Sequence, residues 1–301
     1  CRPAWCLLSE RTKIIVAWVT LCIVWGATYP AIRVALPVFP PFLLAGLRNF
    51  TGGVILYALA RHRRVPFPRD PTAFGIIVLV GLLYIVGANG GVTWAEQEVS
   101  GALTALVCTA TPLMIAVLSL SGVKTDQMNR RGWTGLILGF FGLAVLLQPW
   151  SGAKASPLHL TVLIFAIFSW AVGATVARRF MLKCDPLAAT AIEMLAGGGV
   201  LLLISGLAEN GLRQPPSFYP VAAIVFLVIF GSCIGFTSFS YLITKLPPSR
   251  VSTYSYVNPV VAVLIGTTFL SEPFTAVMAV GAVITMTGVF LANTGRSTIA
   301  A

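Results

Sequence analysis

The chain has 301 residues and a net charge of +11, and it is 57% hydrophobic but only 10% charged. Soluble domains carry about 25% charged residues, so this chain has too little polar surface to solvate a globule of its size. Its basic residues lie in short stretches between apolar blocks, a pattern of membrane orientation rather than of nucleic-acid binding.

Ten apolar blocks follow one another, each near the ~20 residues that cross a bilayer as a helix. They fall at 13–34, 42–60, 73–94, 100–120, 132–149, 158–177, 187–207, 221–243, 251–270 and 274–294. Backbone groups in lipid must bond to each other, so a spanning block is a helix or a barrel strand. Strict alternation of polar and apolar residues is absent, which predicts an all-α integral membrane protein with ten transmembrane helices.

In chain order, block 1 carries Trp25 and Tyr29. It is long and lacks a small-residue processing site, so it reads as a helix and not as a cleaved signal. Block 2 holds Arg48, whose planar fork suits a substrate carboxylate; a snorkelling or structural arginine is the other reading. Block 3 ends with Asn89, Trp94, Glu96 and Glu98, of which Asn89 is the cavity candidate and Glu98 a solvated residue. Block 4 contains Thr111 and Pro112, and block 5 a ridge of Gly135, Gly139 and Gly142. Block 6 carries Trp170.

Block 7 carries Glu193, the one acidic residue well inside a helix. An ionised, unpaired carboxylate there costs several kcal/mol in order of magnitude. It reads as a proton site or a contact for a substrate amine, against a structural helix-to-helix bond. Block 9 contains Tyr254, Tyr256, Asn258 and Pro259. Pro112 and Pro259, placed mid-helix, would free the carbonyls of Cys108 and Ser255 and act as hinges or tolerated kinks. The aromatic rings with polar handles could line a pocket or simply pack. Gly281 and Gly288 of block 10 match the ridge of block 5, so these two blocks should pack together, away from any substrate. Glu272, between blocks 9 and 10, reads as a loop or helix-start residue.

With the N-terminus inside, sixteen of the twenty Lys and Arg residues fall in inside segments and three outside. Both termini are then cytoplasmic, with short segments at 1–12 and 295–301. The halves 13–149 and 158–294 also repeat. Gly52-Gly53-Val54 aligns with Gly198-Gly199-Val200, Thr111-Pro112 with Asn258-Pro259, and Gly135 and Gly142 with Gly281 and Gly288. Trp25 and Arg33 share their spacing with Trp170 and Arg178. Five helices per half is an odd number, so the second half enters from the opposite face: an inverted repeat of the kind secondary transporters use. That symmetry sets Arg48 toward the outer side and Glu193 toward the inner side.

The stretches Trp25–Tyr29, Ala191–Gly197 and Tyr254–Val261 resemble the drug/metabolite transporter superfamily, in its EamA-domain branch of bacterial inner-membrane members. The resemblance covers nearly the whole chain. It implies two EamA repeats around a central cavity and export or exchange of metabolites, often amino acids or related compounds, commonly coupled to protons. Uptake by the same cycle remains an alternative, and a homodimer stays open. The expected partners are the lipid bilayer, a small-molecule substrate and protons.

A channel, or an intramembrane enzyme, is the reading from another class. The two histidines, His62 and His159, sit in a basic loop and at a helix start, and no HExxH, GxSxG or Walker motif occurs. The six cysteines form no CxxC pair and read as small packing residues. No catalytic residue, metal site or cofactor is expected.

Overall fold

The computed structural model describes residues 9–99, 101–120, 129–148, 156–180, 184–269 and 275–294, all helical or in connecting turns with no strand among them. Eight helices are long and apolar enough to cross a membrane. They are α1 (Glu10–Ala35), α2 (Pro41–His62), α3 (Pro71–Ala95), α6 (Arg130–Leu147), α7 (Pro157–Phe180), α8 (Pro186–Ala208), α9 (Phe218–Lys245) and α12 (Ala276–Thr294). Shorter helices lie between them: α4 (Gly101–Cys108), α5 (Thr111–Leu120), α10 (Pro248–Val251) and α11 (Tyr254–Phe269). Most of segment 1–12, the tail 295–301 and Glu272 lie outside the described residues.

Block 4 differs from its expectation as a single helix. Block 4 is broken by a turn at Thr109 and Ala110, so Pro112 stands in the first turn of α5 and not mid-helix. Proline is tolerated there because its missing N–H would be unsatisfied anyway. The carbonyl of Cys108 accepts from the Thr111 hydroxyl (2.7 Å). Block 9 is the single helix α11, preceded by a turn at Ser252 and Thr253 that separates it from α10, and Pro259 stays inside it.

Helix starts follow local chemistry. Ser9, Asp70, Asn129 and Asp185 accept from backbone N–H groups of the first turns of α1, α3, α6 and α8, filling donors a helix cannot satisfy itself. α2 lacks such a residue. Its N-terminus is capped from the other half, where Glu209 accepts from Phe42 N (2.9 Å) and Leu43 N (2.8 Å).

Glycines set the closest crossings. α6 and α12 meet along the expected ridge: a Cβ on Gly142 would lie 2.5 Å from Thr285 N, and one on Gly288 would meet the Gly139 backbone. α2 and α8 cross at the repeated glycine pairs, where a Cβ on Gly53 would come within 2.8 Å of Leu195 N and one on Gly198 within 2.5 Å of Phe50 N. Small residues let helices approach where lipid offers no hydrophobic drive.

α3 and α9 each contain a wider, π-helical stretch, at Leu82–Gly90 and Leu227–Phe236. These stretches sit at corresponding places in the two halves. The outer surface is apolar: Phe141, Leu203, Val283 and Phe290 are each more than 60% exposed. Such a belt is untenable in water and ordinary against lipid.

The two ends of the bundle differ in charge. One end gathers Arg61, Arg63, Arg64, Arg130, Arg131, Arg179 and Lys245, where Lys245 pairs with Glu10 at 3.2 Å. At the other end Arg213 donates to Gln97 Oε1 (2.5 Å) and its backbone N–H to Val38 O (2.9 Å).

Candidate functional site

A cavity with about 750 Å³ of free space, its open mouth included, lies between the halves. Helices α1 to α5 contribute Trp25, Thr28, Tyr29, Arg48, Asn89 and Thr111; α7, α9 and α11 contribute Trp170, Phe236, Tyr254 and Asn258. α6 and α12 stand outside it, as their glycine packing demands.

Its polar groups are few and held in place. The Arg48 guanidinium donates through Nη2 to Asn89 Oδ1, and Asn89 donates from its own amide to Tyr84 O (3.0 Å). That carbonyl lies in the π-helical stretch of α3, where the wider turn displaces backbone groups from regular α-helical bonding. Arg48 is 7% exposed and its Nε has no partner among the described residues. Among the described residues its one hydrogen-bond acceptor is a neutral amide, which compensates a buried cation poorly. Next to it, Asn49 donates to Ala45 O (2.8 Å) and accepts from Ser232 (3.3 Å), tying α2 to α9.

Glu96 stands one residue past the end of α3. Burial pushes its carboxyl up to about 7, against the downward pull of Arg48 and then Arg33. It forms no ion pair among the described residues.

On the opposite wall, Asn258, with its amide nitrogen turned to the backbone, donates to Cys22 O (3.1 Å) and Tyr254 O (3.0 Å), joining α11 to α1. The floor is aromatic. Trp25 donates from Nε1 to Gly231 O (2.9 Å) and packs edge-on against Trp170 (5.4 Å) and Tyr254 (4.9 Å). Trp170 continues the layer to Phe239 (5.1 Å) and Tyr84 (4.6 Å). Such rings offer a flat apolar face with few hydrogen-bonding points, the usual make-up of a small-molecule site.

Eight of the residues singled out in the sequence line this cavity: Trp25, Tyr29, Arg48, Asn89, Thr111, Trp170, Tyr254 and Asn258. Tyr256 does not. It is fully buried against Gly139 and donates to Leu136 O (3.0 Å), bolting α11 to α6. Glu193 is elsewhere too, beneath the aromatic floor, and it does not pair with Arg48. The sequence reading passed over Tyr84, Asn49, Phe236 and Phe239. Tyr84 carried the same signal as its counterparts, an aromatic ring with a polar handle inside an apolar block.

Comparison with known proteins agrees with this architecture. The EamA-like transporter family model matches twice, over residues 12–148 and 158–294. The chain is 35% identical over 270 residues to a protein of Escherichia coli K12 named as the uncharacterized inner membrane transporter YedA, covering 88% of this chain and 86% of that one. It is 27% identical to the Bacillus subtilis transporter YvbV, covering 96% and 93%. A WAT1-related chloroplastic protein of Arabidopsis thaliana is 29% identical over 95% of this chain and 72% of its own. A solved crystal structure superposes with a TM-score of 0.80 at 21% identity, over 94% of this chain and 97% of the other, which speaks for the fold alone. Two family matches that together span nearly the whole chain, with a cavity between the halves they cover, make this protein a member of the EamA-like transporter family, a multi-pass membrane transporter and not an enzyme.

Proposed function

We propose that the protein is a secondary transporter of the bacterial inner membrane that exports a small metabolite, an amino acid or related compound, by alternating access coupled to protons. The observation that carries this reading is the cavity itself. Both halves wall it, one under-compensated guanidinium and two fixed amides mark its polar points, and an aromatic floor closes it toward the basic end. A solute with a carboxylate and an apolar body matches those features: the carboxylate meets the Arg48 fork and the body lies on Trp25 and Trp170.

The membrane topology in this reading has ten spans, with α4 and α5 acting as one and α11 as another, in two inverted five-helix repeats. The glycine crossing of α2 with α8 and the matching π-helical stretches of α3 and α9 support that symmetry. Both termini are cytoplasmic, because the basic end belongs inside. The cavity then faces outward, and cycling the two halves exposes it to the cytoplasm. No cofactor enters the cycle.

Counterflow in proteoliposomes tests the transport reading. Preloaded unlabelled amino acid should accelerate entry of labelled amino acid, and a flux that ignores the trans side would indicate a channel. Topology is tested by single cysteines in a cysteine-free protein. External reagent should reach a cysteine at Glu98 and miss one at Arg63; the reverse pattern overturns the orientation.

A further inference from the structure

Below the aromatic floor lies a second cavity, with about 340 Å³ of free space. It sits toward the basic end, between α3, α7, α8 and α9, and its wall includes Tyr84, Cys184, Glu193, Phe239, Ser240 and Thr244. Glu193 and Tyr84 are each 1% exposed, and Glu193 Oε2 and the Tyr84 hydroxyl have no hydrogen-bond partner among the described residues. Two such orphans on one cavity are unusual, since buried polar atoms are nearly always bonded.

Among the described residues, no surrounding group neutralises the carboxyl. The Ser240 hydroxyl is bonded to Thr190 (2.7 Å) and that of Thr244 to Tyr241 O (2.7 Å). Arg178 of α7 turns its guanidinium to the carbonyls of Ile243 (2.8 Å) and Thr244 (3.0 Å). Asp185 caps α8 at Leu187 N (2.8 Å). α2 brings only Gly52 and Gly53 against the neighbours of Glu193, Met194 and Leu195. Cys184 is the remaining titratable group on the wall. A carboxylate enclosed without a cation is costly, and a proton removes that cost. Two orphan oxygens are too few to replace the shell of a metal ion.

Tyr84 belongs to both compartments. Its side chain lines the lower cavity, while its ring packs 4.6 Å from Trp170, which lines the upper one. Gly173 clamps the ring from α7, where a Cβ would lie 2.8 Å from Tyr84 Cε1. The ring cannot tilt without moving Trp170 or α7.

We infer that Glu193 binds a proton in a cavity of its own, apart from the solute, and that Tyr84 relays its protonation state to the solute cavity through Trp170. The proton is exchanged with water at the basic end: carboxylate plus proton gives carboxylic acid, with no other bond changed. The two oxygens are not bonded to each other in this structure; with the ring tilted toward Glu193, the Tyr84 hydroxyl would donate to the carboxylate or accept from the acid, which gives the ring two positions to adopt. This inference builds on the proton-coupled reading above and divides it into two sites. Tyr84 acts as a positioning residue.

The test needs no identified solute. The purified full-length protein is titrated in detergent, with the carboxyl C=O infrared band reporting protonation and tryptophan fluorescence reporting the Trp170 environment. Wild type should show a carboxyl band and a fluorescence change that titrate together. Glu193→Gln should lose the fluorescence change and the Glu193 share of the band, leaving the share of Glu96, which Glu96→Gln removes separately. Tyr84→Phe should keep the band, shift its midpoint and lose most of the fluorescence change, while Glu98→Gln leaves both in place. A full carboxyl titration in Glu193→Gln, an unaltered fluorescence change in Tyr84→Phe, or a titration abolished by replacing sodium with choline would overturn the inference. Proteoliposomes loaded with isotope-labelled amino acids separate the two levels. Release that ignores an imposed pH gradient, while Glu193 still titrates, sinks proton-coupled transport and leaves the proton site standing.

Discussion

Asn89 accepts a hydrogen bond from the Arg48 guanidinium, and the two side chains come from helices whose sequences give no sign of the contact. The bond fixes the plane of the fork while leaving Nε unspent. Arginine is suited to such a position because its donors are rigidly oriented, whereas lysine offers a point charge on a flexible stem.

Arg48→Lys should therefore weaken solutes that carry a carboxylate more than it slows turnover. A charge-assisted hydrogen bond contributes about 1.5–3 kcal/mol, so KM should rise on the order of tenfold to a hundredfold with kcat changed much less. Concentration-dependent counterflow measures both. An unchanged KM for amino acids would remove Arg48 from the binding site.

Tyr256→Phe should behave in the opposite way. It loses the bond to Leu136 O, at a cost of about 1 kcal/mol, and touches nothing in the cavity. Thermal unfolding in detergent should shift down by a few degrees while transport constants stay at wild-type values.

Glu209→Ala should also lower stability, because it uncaps α2 from across the two halves. Loss of a helix cap costs about 1 kcal/mol. Glu209→Gln keeps one acceptor oxygen and should fall between wild type and alanine in the same melt.

Gly288→Ala should be more damaging than its size suggests. The new Cβ would lie 2.6 Å from the Cα of Gly139, and backbone cannot move aside as a side chain can. Overpacking of this kind costs about 1–3 kcal/mol, seen as a lower melting point or poor accumulation in the membrane. Gly206→Ala, which meets open space, is the control expected to be neutral.

Much of this fold was legible because lipid imposes simple rules. Apolar length marks helices, and the exposed belt of Phe141, Leu203 and Phe290 shows where that length is used. The glycine ridge of Gly135, Gly139 and Gly142 foretold the packing of α6 on α12, since only small residues allow so close a crossing. The break in block 4 was less legible. Apolar residues flank Thr109 on both sides, and a proline fits the first turn of a helix as well as a kink within one.

The site residues divide in the same way. By itself the sequence determined which chemistries are present: a guanidinium and a carboxyl inside apolar helices, and polar aromatics at helical depth, because such groups stand out against a lipid-soluble background. Tertiary structure alone decided where they point. Tyr254 and Tyr256 are two residues apart, yet one lines the cavity and the other bolts α11 to α6, because a turn of 3.6 residues places them on different faces. It also decided that Glu193 lies under the aromatic floor while Arg48 lies above it, since the Trp25, Trp170 and Tyr84 rings that separate them come from three helices far apart in the chain.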